Sequence, residues 1–182
     1  MPRYFRLLLA AAFLVISPVR TSLSQGAGAI PEADPADVSS VDAIMAAVYD
    51  VISGPAGEAR DWNRFRSLFR PEAKLIPVVG TQTGGTTARY LSIEDYVSGP
   101  GQRIAEVGFF EKEIHRIEER FGNAVHLFST YESRYKPEDE PFSRGINSFQ
   151  LVFDGSRWWV VNIFWQGESP GLPIPSKYLP GN

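Results

Sequence analysis

The sequence contains no cysteine among its 182 residues. This excludes disulfide bonds, thiolate catalysis and cysteine-ligated zinc or iron–sulfur sites. Only two histidines are present, and strand spacing predicts that they lie about 10 Å or more apart, so we expect no metal site. The Gly84-Gly85 pair predicts a turn, because the pattern of a phosphate-binding loop does not follow it. We therefore expect no bound cofactor.

Long apolar runs are also lacking. Residues 7–16 carry no charge, but a membrane-spanning helix needs about 20 apolar residues. Arg3 and Arg6 precede this run and Pro18 follows it, which is typical of a secretory signal peptide. We predict that residues 1–24 are this signal peptide and that the protein is exported, to the periplasm or outside the cell.

Positive charge is scarce once the predicted signal peptide is removed. Its removal takes three basic residues and no acidic one, so the formal charge falls from −3 to −6. An acidic chain disfavours nucleic acid and anionic membranes as partners. We expect neither partner after processing.

The remaining composition is that of one folded domain. Hydrophobic residues make up 43% of the chain and aromatic residues 13%, which is enough for a core. Residues 25–37 are rich in Gly, Ala, Pro and acidic residues, which predicts a flexible tether. We place the domain at residues 38–168 and a Pro/Gly-rich C-terminal tail at residues 169–182.

Helices are predicted in the first half of the domain. Apolar residues recur at three- and four-residue steps from Val41 to Ile52, behind Ser40 as a possible N-cap. A shorter helix begins at Trp62 behind Asp61, and a third helical segment begins at Ser92.

An antiparallel sheet is predicted in the second half. A weaker hairpin precedes it, at residues 73–79 and 86–91 around the Gly84-Gly85 turn. Four β-rich runs then follow, at residues 109–121, 124–135, 142–153 and 158–166.

The turns predict which residues share a face of this sheet. A two-residue turn at Gly122-Asn123 pairs His115 with Thr130 and Glu113 with Glu132. Placing Tyr135 opposite Phe142 extends this assignment of residues to faces across the remaining strands. The face expected to line a pocket under the helices is Phe109, Glu113, His115, Ile117, His126, Phe128, Thr130, Glu132, Asn147, Phe149, Leu151, Phe153, Trp158, Val160, Asn162 and Phe164.

The opposite face is too apolar at Ile146, Ile163 and Trp165 to remain in open water. We predict a homodimer through this outer surface.

Two sequence motifs point to a known family. One is the start of the second helix, Asp61-Trp62-Asn63-Arg64-Phe65, and the other is the final hairpin, from Asp154-Gly155 through Trp158 to Asn162. With the order of helices and strands, residues 41–166 resemble the nuclear transport factor 2-like superfamily (SnoaL-like, ketosteroid isomerase-like). The resemblance implies a cone-shaped α+β barrel, in which N-terminal helices pack on a strongly curved antiparallel sheet and enclose a pocket.

Candidate catalytic residues follow from the predicted pocket face. His115 with Glu113 or Glu132 supplies the acid/base pair that proton transfer at neutral pH requires. The alternative is that these strand ends are solvated and that Glu111 merely pairs with Arg134.

Candidate ligand-binding residues are polar groups among aromatic ones. Buried amides need hydrogen-bond partners, from the protein or from a ligand. Tyr49 is included because the dehydratase members of the superfamily place a tyrosine toward the cavity. The predicted ligand-binding residues are Asn162, Asn147, Thr130, Phe149, Tyr49, Trp62 and Phe65.

Three functions are compatible with this sequence. The first is an exported module that binds a small, largely apolar molecule. The second is a cofactor-free isomerase, dehydratase or cyclase, since the superfamily includes ketosteroid isomerase, scytalone dehydratase and polyketide cyclases. The third is a dimeric protein-interaction module. Because a fold does not by itself confer chemistry, we favour the first.

Overall fold

The structure is a computed structural model, and it describes residues 30–181. The predicted signal peptide lies outside the described residues. Within residues 30–181, no helix is long and apolar enough to cross a membrane.

Five helices cover the first half of the described chain, and local capping explains where they begin. Ser40 accepts a hydrogen bond from the backbone N–H of Ala43, and Asp61 accepts one from that of Arg64. Ser92 and Asp95 form a reciprocal capping box. The helices are α1 (Pro35–Val38), α2 (Val41–Ile52), α3 (Trp62–Ser67), α4 (Ile93–Ser98) and α5 (Pro100–Val107).

The folded region begins before residue 38. Asp34 caps α1, and Asp37 pairs with Arg64 at 2.7 Å. Residues 34–37 therefore belong to the fold, and the part of the chain predicted as a tether is shorter than expected.

Six strands form one sheet in the order β2-β1-β6-β5-β4-β3. The β1 and β6 strands are parallel, and every other neighbouring pair is antiparallel. The predicted α+β class is confirmed, with helices against a curved sheet that stays open. The strands are β1 (Phe69–Gly80), β2 (Thr86–Ala88), β3 (Phe110–Phe121), β4 (Ala124–Arg134), β5 (Ser143–Phe153) and β6 (Trp158–Gly167).

The predicted register between β4 and β5 is wrong by one residue. Ser133 pairs with Ser143, so Tyr135 does not lie opposite Phe142 as expected. Phe128 consequently pairs with Ser148 and not with Phe149. A slip of one residue moves every side chain of a strand to the other face of the sheet.

Two bulges change the faces again. In β3 the extra residue is Ile114: the predicted pair of His115 with Thr130 is confirmed, but Glu113 pairs with Tyr131 and not with Glu132. In β6 the register shifts at Val161.

The register shift in β6 turns Asn162 away from the helices. Phe149 pairs with Ile163 and not with Asn162, which pairs with Gln150. The predicted pocket face is therefore divided. Glu113, Asn147 and Phe149 face the helices, whereas His115, Thr130, Glu132 and Asn162 face outward.

The C-terminal segment covers part of this outer face. A 3₁₀ turn (Ser176–Tyr178) lies against β3 and β4. The hydroxyl of Thr130 donates to the Tyr178 carbonyl at 2.6 Å, and the rings of Phe128 and Tyr178 are 5.4 Å apart. Thr130 is fully buried for this reason.

The three residues expected to form a dimer surface do not lie together. Ile163 and Trp165 are on the inner side of the sheet and line an internal cavity, while Ile146 faces outward. These three residues therefore do not form the shared outer surface from which the dimer was predicted. Dimerisation itself stays a prediction.

Candidate functional site

An internal cavity of about 190 Å³ lies between the helices and the inner face of the sheet. Its wall is mostly aliphatic and aromatic, with few polar groups. The lining residues are Val48, Tyr49, Ile52, Phe65, Leu75, Tyr96, Pro100, Phe109, Glu111, Asn147, Phe149, Ile163 and Trp165. An engineered cavity of roughly 150 Å³ holds benzene, and drug-sized pockets begin at roughly 300 Å³. The cavity therefore fits a molecule with one ring or a short chain.

A buried arginine connects two helices next to this cavity. Arg60 is 7% exposed and donates to the backbone carbonyls of Ile52, Gly54 and Glu58 at 3.1, 2.5 and 2.6 Å. It makes a further bond of 3.4 Å to the Ile104 carbonyl. Arg60 therefore ties the end of α2 to α5, two helices that contribute to the cavity wall.

Glu111 supplies the carboxyl group of the cavity. It lies at the start of β3, where its backbone N–H donates to the hydroxyl of Ser53 at 3.0 Å. One carboxyl oxygen accepts from the Ser133 hydroxyl at 2.8 Å, and the other accepts from Nδ2 of Asn147 at 3.4 Å. The backbone is thus held by the residue that follows α2, and the carboxyl group is held from β4 and β5.

The environment of Glu111 shifts its titration toward neutral pH. Burial raises the pKa of Glu111 to about 7, and the hydrogen bonds from Ser133 and Asn147 oppose part of that rise. Near neutral pH both the acid and the carboxylate are therefore populated. Such a group can accept or donate a proton.

Tyrosines around this glutamate stay neutral. Burial, and secondarily the charge of Glu111, raises the pKa values of Tyr49 and Tyr96 well above the usual range. The same two causes raise the pKa of Tyr131 to about 12. Their hydroxyl groups consequently act as hydrogen-bond donors and acceptors and not as bases.

A chain of hydrogen bonds runs from the cavity toward the surface. Nδ2 of Asn147 donates to the Tyr49 hydroxyl at 3.1 Å, which lies 2.7 Å from Oγ of Ser129. Ser129 donates to Glu113 at 2.5 Å, and Glu113 pairs with Arg116 at 3.0 Å. Residues from α2, β3, β4 and β5 are therefore connected in one network.

Four of the predicted ligand-binding residues lie at the cavity. Tyr49, Phe65, Asn147 and Phe149 all line it. Trp62 packs edge-on against Phe65 with a centroid distance of 5.7 Å, and so supports the wall from behind. Their part in ligand binding stays a prediction.

The other predicted ligand-binding and catalytic residues are not brought to the cavity wall. Thr130 and Asn162 are on the outer face for the register reasons given above. His115 also faces outward, and Glu132 pairs there with Lys112 and Arg134 at 3.2 and 2.8 Å.

Glu113 faces inward but bonds to Ser129 and Arg116 one layer behind the cavity. The predicted histidine–glutamate pair is therefore not assembled at the cavity.

Sequence reasoning missed Glu111, Tyr96 and Trp165. Glu111 enters the sequence analysis only in the alternative that leaves these strand ends solvated, and Trp165 is predicted on the outer face. The available signal was the alternation of Val125, Leu127 and Tyr131, since these apolar residues mark the inner face of β4 and place Ser133, the partner of Glu111, on that face.

Metal ligands are not clustered in this part of the chain. Among residues 30–181, no three His, Asp or Glu side chains lie close enough together to hold a metal ion. The cavity itself contributes only Glu111 of these types.

Comparison by sequence finds nothing similar. The sequence matches no protein-family model, and no curated protein is significantly similar to it.

Comparison by structure finds similar chains of low sequence identity. One is an uncharacterised protein with a cystatin-like fold from Caulobacter vibrioides, with a TM-score of 0.53, 11% identity and coverage of 73% of this chain and 90% of that one. A protein of unknown function with a cystatin-like fold from Nostoc punctiforme has a TM-score of 0.52, 11% identity and coverage of 71% and 89%. An NTF-2 like protein of unknown function from Silicibacter pomeroyi has a TM-score of 0.50, 12% identity and coverage of 71% and 94%. At these identities the likeness concerns the fold alone.

Proposed function

We propose that this chain, which has the fold of the nuclear transport factor 2-like proteins, binds a small, largely apolar molecule in its internal cavity. The observation that carries the proposal is the cavity of about 190 Å³, with apolar walls and a carboxyl group at one point. Natural ligand sites combine predominantly apolar walls with a few placed polar groups in this way.

Toluene is a suitable probe for the apolar part of the site. Added toluene should shift the NMR signals of the Ile52 and Ile163 methyl groups, which line the cavity, before that of Ile146, which faces outward. Val48→Phe places a ring in the cavity and should abolish these shifts. The matched control Val161→Phe makes the same change on the outside and should preserve them.

Two results would reject the binding proposal. One is the absence of any toluene-dependent shift in the folded wild-type protein. The other is an equal response in the Val48→Phe and Val161→Phe variants, which would place the toluene outside the cavity.

A proton-transfer enzyme is the second candidate. The observation that favours it is Glu111, whose carboxyl group faces an apolar cavity and has a pKa raised to about 7 by burial. Glu111 therefore replaces the predicted histidine–glutamate pair as the candidate acid/base group at the cavity. Under this hypothesis Glu111→Gln abolishes turnover of an isomerase, dehydratase or cyclase substrate and retains its binding, whereas unchanged turnover would reject it.

The proposal also includes export and a homodimer. Export is supported by the basic and apolar pattern of residues 1–24. If the protein is exported, mass spectrometry of the protein from a fractionated culture should show that residues 1–24 have been removed. An intact N terminus in the cytoplasmic fraction would refute it.

A dimer is supported by partly exposed apolar residues of the outer face, Val161 and Phe164. Light scattering that gives the mass of a single chain would refute the dimer.

A further inference from the structure

The polar atoms of the cavity have fixed directions. Glu113 pairs with Arg116 at 3.0 Å, so its carboxylate is an acceptor, and the hydroxyl hydrogen of Ser129 is used for it at 2.5 Å. The Ser129 oxygen can then only accept, which means that the Tyr49 hydroxyl donates to it at 2.7 Å.

The direction of the Tyr49 hydroxyl in turn orients Asn147. The tyrosine oxygen accepts from Nδ2 of Asn147 at 3.1 Å, so the NH₂ group of the amide points toward Tyr49 and Glu111. Oδ1 of Asn147 must point the other way. It makes no hydrogen bond within residues 30–181.

This oxygen is available to a ligand. Among residues 30–181, Nη1 of Arg116 is the only fully buried side-chain nitrogen or oxygen without a partner. Oδ1 of Asn147 has no partner among these residues and is not in that fully buried class, and Asn147 lines the cavity. Tyr96 lines the same cavity, and its hydroxyl group likewise has no hydrogen-bond partner among residues 30–181.

We infer that the chain Glu113–Ser129–Tyr49 holds Asn147 so that Oδ1 receives a hydrogen bond from a hydroxyl group of the ligand, and that the ligand is a small apolar alcohol or phenol. This inference rests on the proposed binding function. A hydroxyl group fits better than an ether, which cannot donate, or an ammonium group, which cannot accept, because it donates to Asn147 and can also accept from Tyr96. Ser129 and Glu113 do not reach the cavity wall and act as positioning residues.

The test compares p-cresol with p-xylene, which differ only by a hydroxyl in place of a methyl group and have nearly the same shape. Calorimetry gives the dissociation constant of each probe, and the ratio for the two is compared between variants. Asn147→Leu should weaken p-cresol relative to p-xylene by about tenfold, the usual scale of one hydrogen bond.

Tyr49→Phe and Ser129→Ala test the chain itself. Each frees the Asn147 amide from its fixed direction, so each should reduce the relative preference for p-cresol. Ser129 does not line the cavity, so Ser129→Ala should change the p-xylene affinity about twofold or less. Ser129→Thr retains the hydroxyl and should restore the preference. A merely structural role would weaken both probes equally, and that result would overturn the inference.

The other outcomes are equally distinct. An unchanged ratio in Asn147→Leu would overturn the assignment of Oδ1 as the acceptor. A changed ratio in Asn147→Leu but not in Tyr49→Phe or Ser129→Ala would overturn the positioning role of the chain. If neither probe binds the wild-type protein, the proposed binding function fails as a whole.

Discussion

Replacing Glu111 by glutamine should stabilise the protein at neutral and alkaline pH. The carboxyl group has an ordinary pKa of 4.5, and burial in the folded chain raises that pKa to about 7. Between these pH values the unfolded chain has released the proton and the folded chain still holds it, so the free energy of unfolding falls as the pH rises. The whole difference corresponds to about 3 kcal/mol.

Glutamine has nearly the same shape and does not ionise. Below pH 4.5 Glu111 is neutral in both states, and we expect wild type and Glu111→Gln to be similarly stable. Above pH 7 the variant should be more stable by up to about 3 kcal/mol, because it avoids a buried charge. Urea denaturation at pH 4.5, 6 and 8 measures this directly.

The exposed residue Glu118 provides the control for removing one negative charge from the same strand. Glu118→Gln should track the wild type at all three pH values. The reasoning is refuted if the stability difference between wild type and Glu111→Gln does not depend on pH, or if the wild type is the more stable at pH 8.

Three further changes test the fold around the cavity. Arg60→Met leaves carbonyls of α2 and of the following loop without a donor, so it should lower the free energy of unfolding by about 3 kcal/mol or more, as measured by urea denaturation. A loss of stability no larger than that caused by Arg103→Met, at an exposed arginine, would contradict this. Gly145→Ala places a Cβ 2.6 Å from the Tyr131 hydroxyl and 2.5 Å from the Gln166 carbonyl, so it should lower the melting temperature, and an unchanged value would be inconsistent with this packing. Thr130→Val removes the bond to the Tyr178 carbonyl, should cost about 1 kcal/mol and should speed digestion of the tail by carboxypeptidase; equal digestion rates would argue against the contact.

Much of the fold was predictable because its signals are local. Ser40 and Asp61 cap helices by short-range bonds to the following residues. The Gly122-Asn123 turn sets the pairing of His115 with Thr130, since a two-residue turn allows only one register. These features depend on neighbours in sequence and leave a clear pattern there.

The division of the sheet into faces was not predictable, because it depends on single-residue insertions. The bulges at Ile114 and Val161 each add one residue to a strand, and the connection between β4 and β5 shifts the count once more. None of these leaves a distinct composition, yet each reverses the direction of all later side chains. Asn162 was misplaced for this reason.

The burial of Glu111 has a different origin. In sequence it is one of several charged residues in β3, and its neighbour Lys112 is exposed. It becomes buried because α2 packs over the start of this strand, where Ser53 bonds to its backbone N–H. Contacts between distant parts of the chain, and not local propensity, therefore create the candidate site.

The most direct test of ligand binding in the cavity is a crystal structure of the protein soaked with p-cresol. The proposal predicts electron density for one ring beside Phe149, with the hydroxyl within hydrogen-bond distance of Oδ1 of Asn147. Density for p-cresol only on the outer face, beside Leu172 and Ile174, would contradict it, and so would a cavity that holds only water at saturating p-cresol.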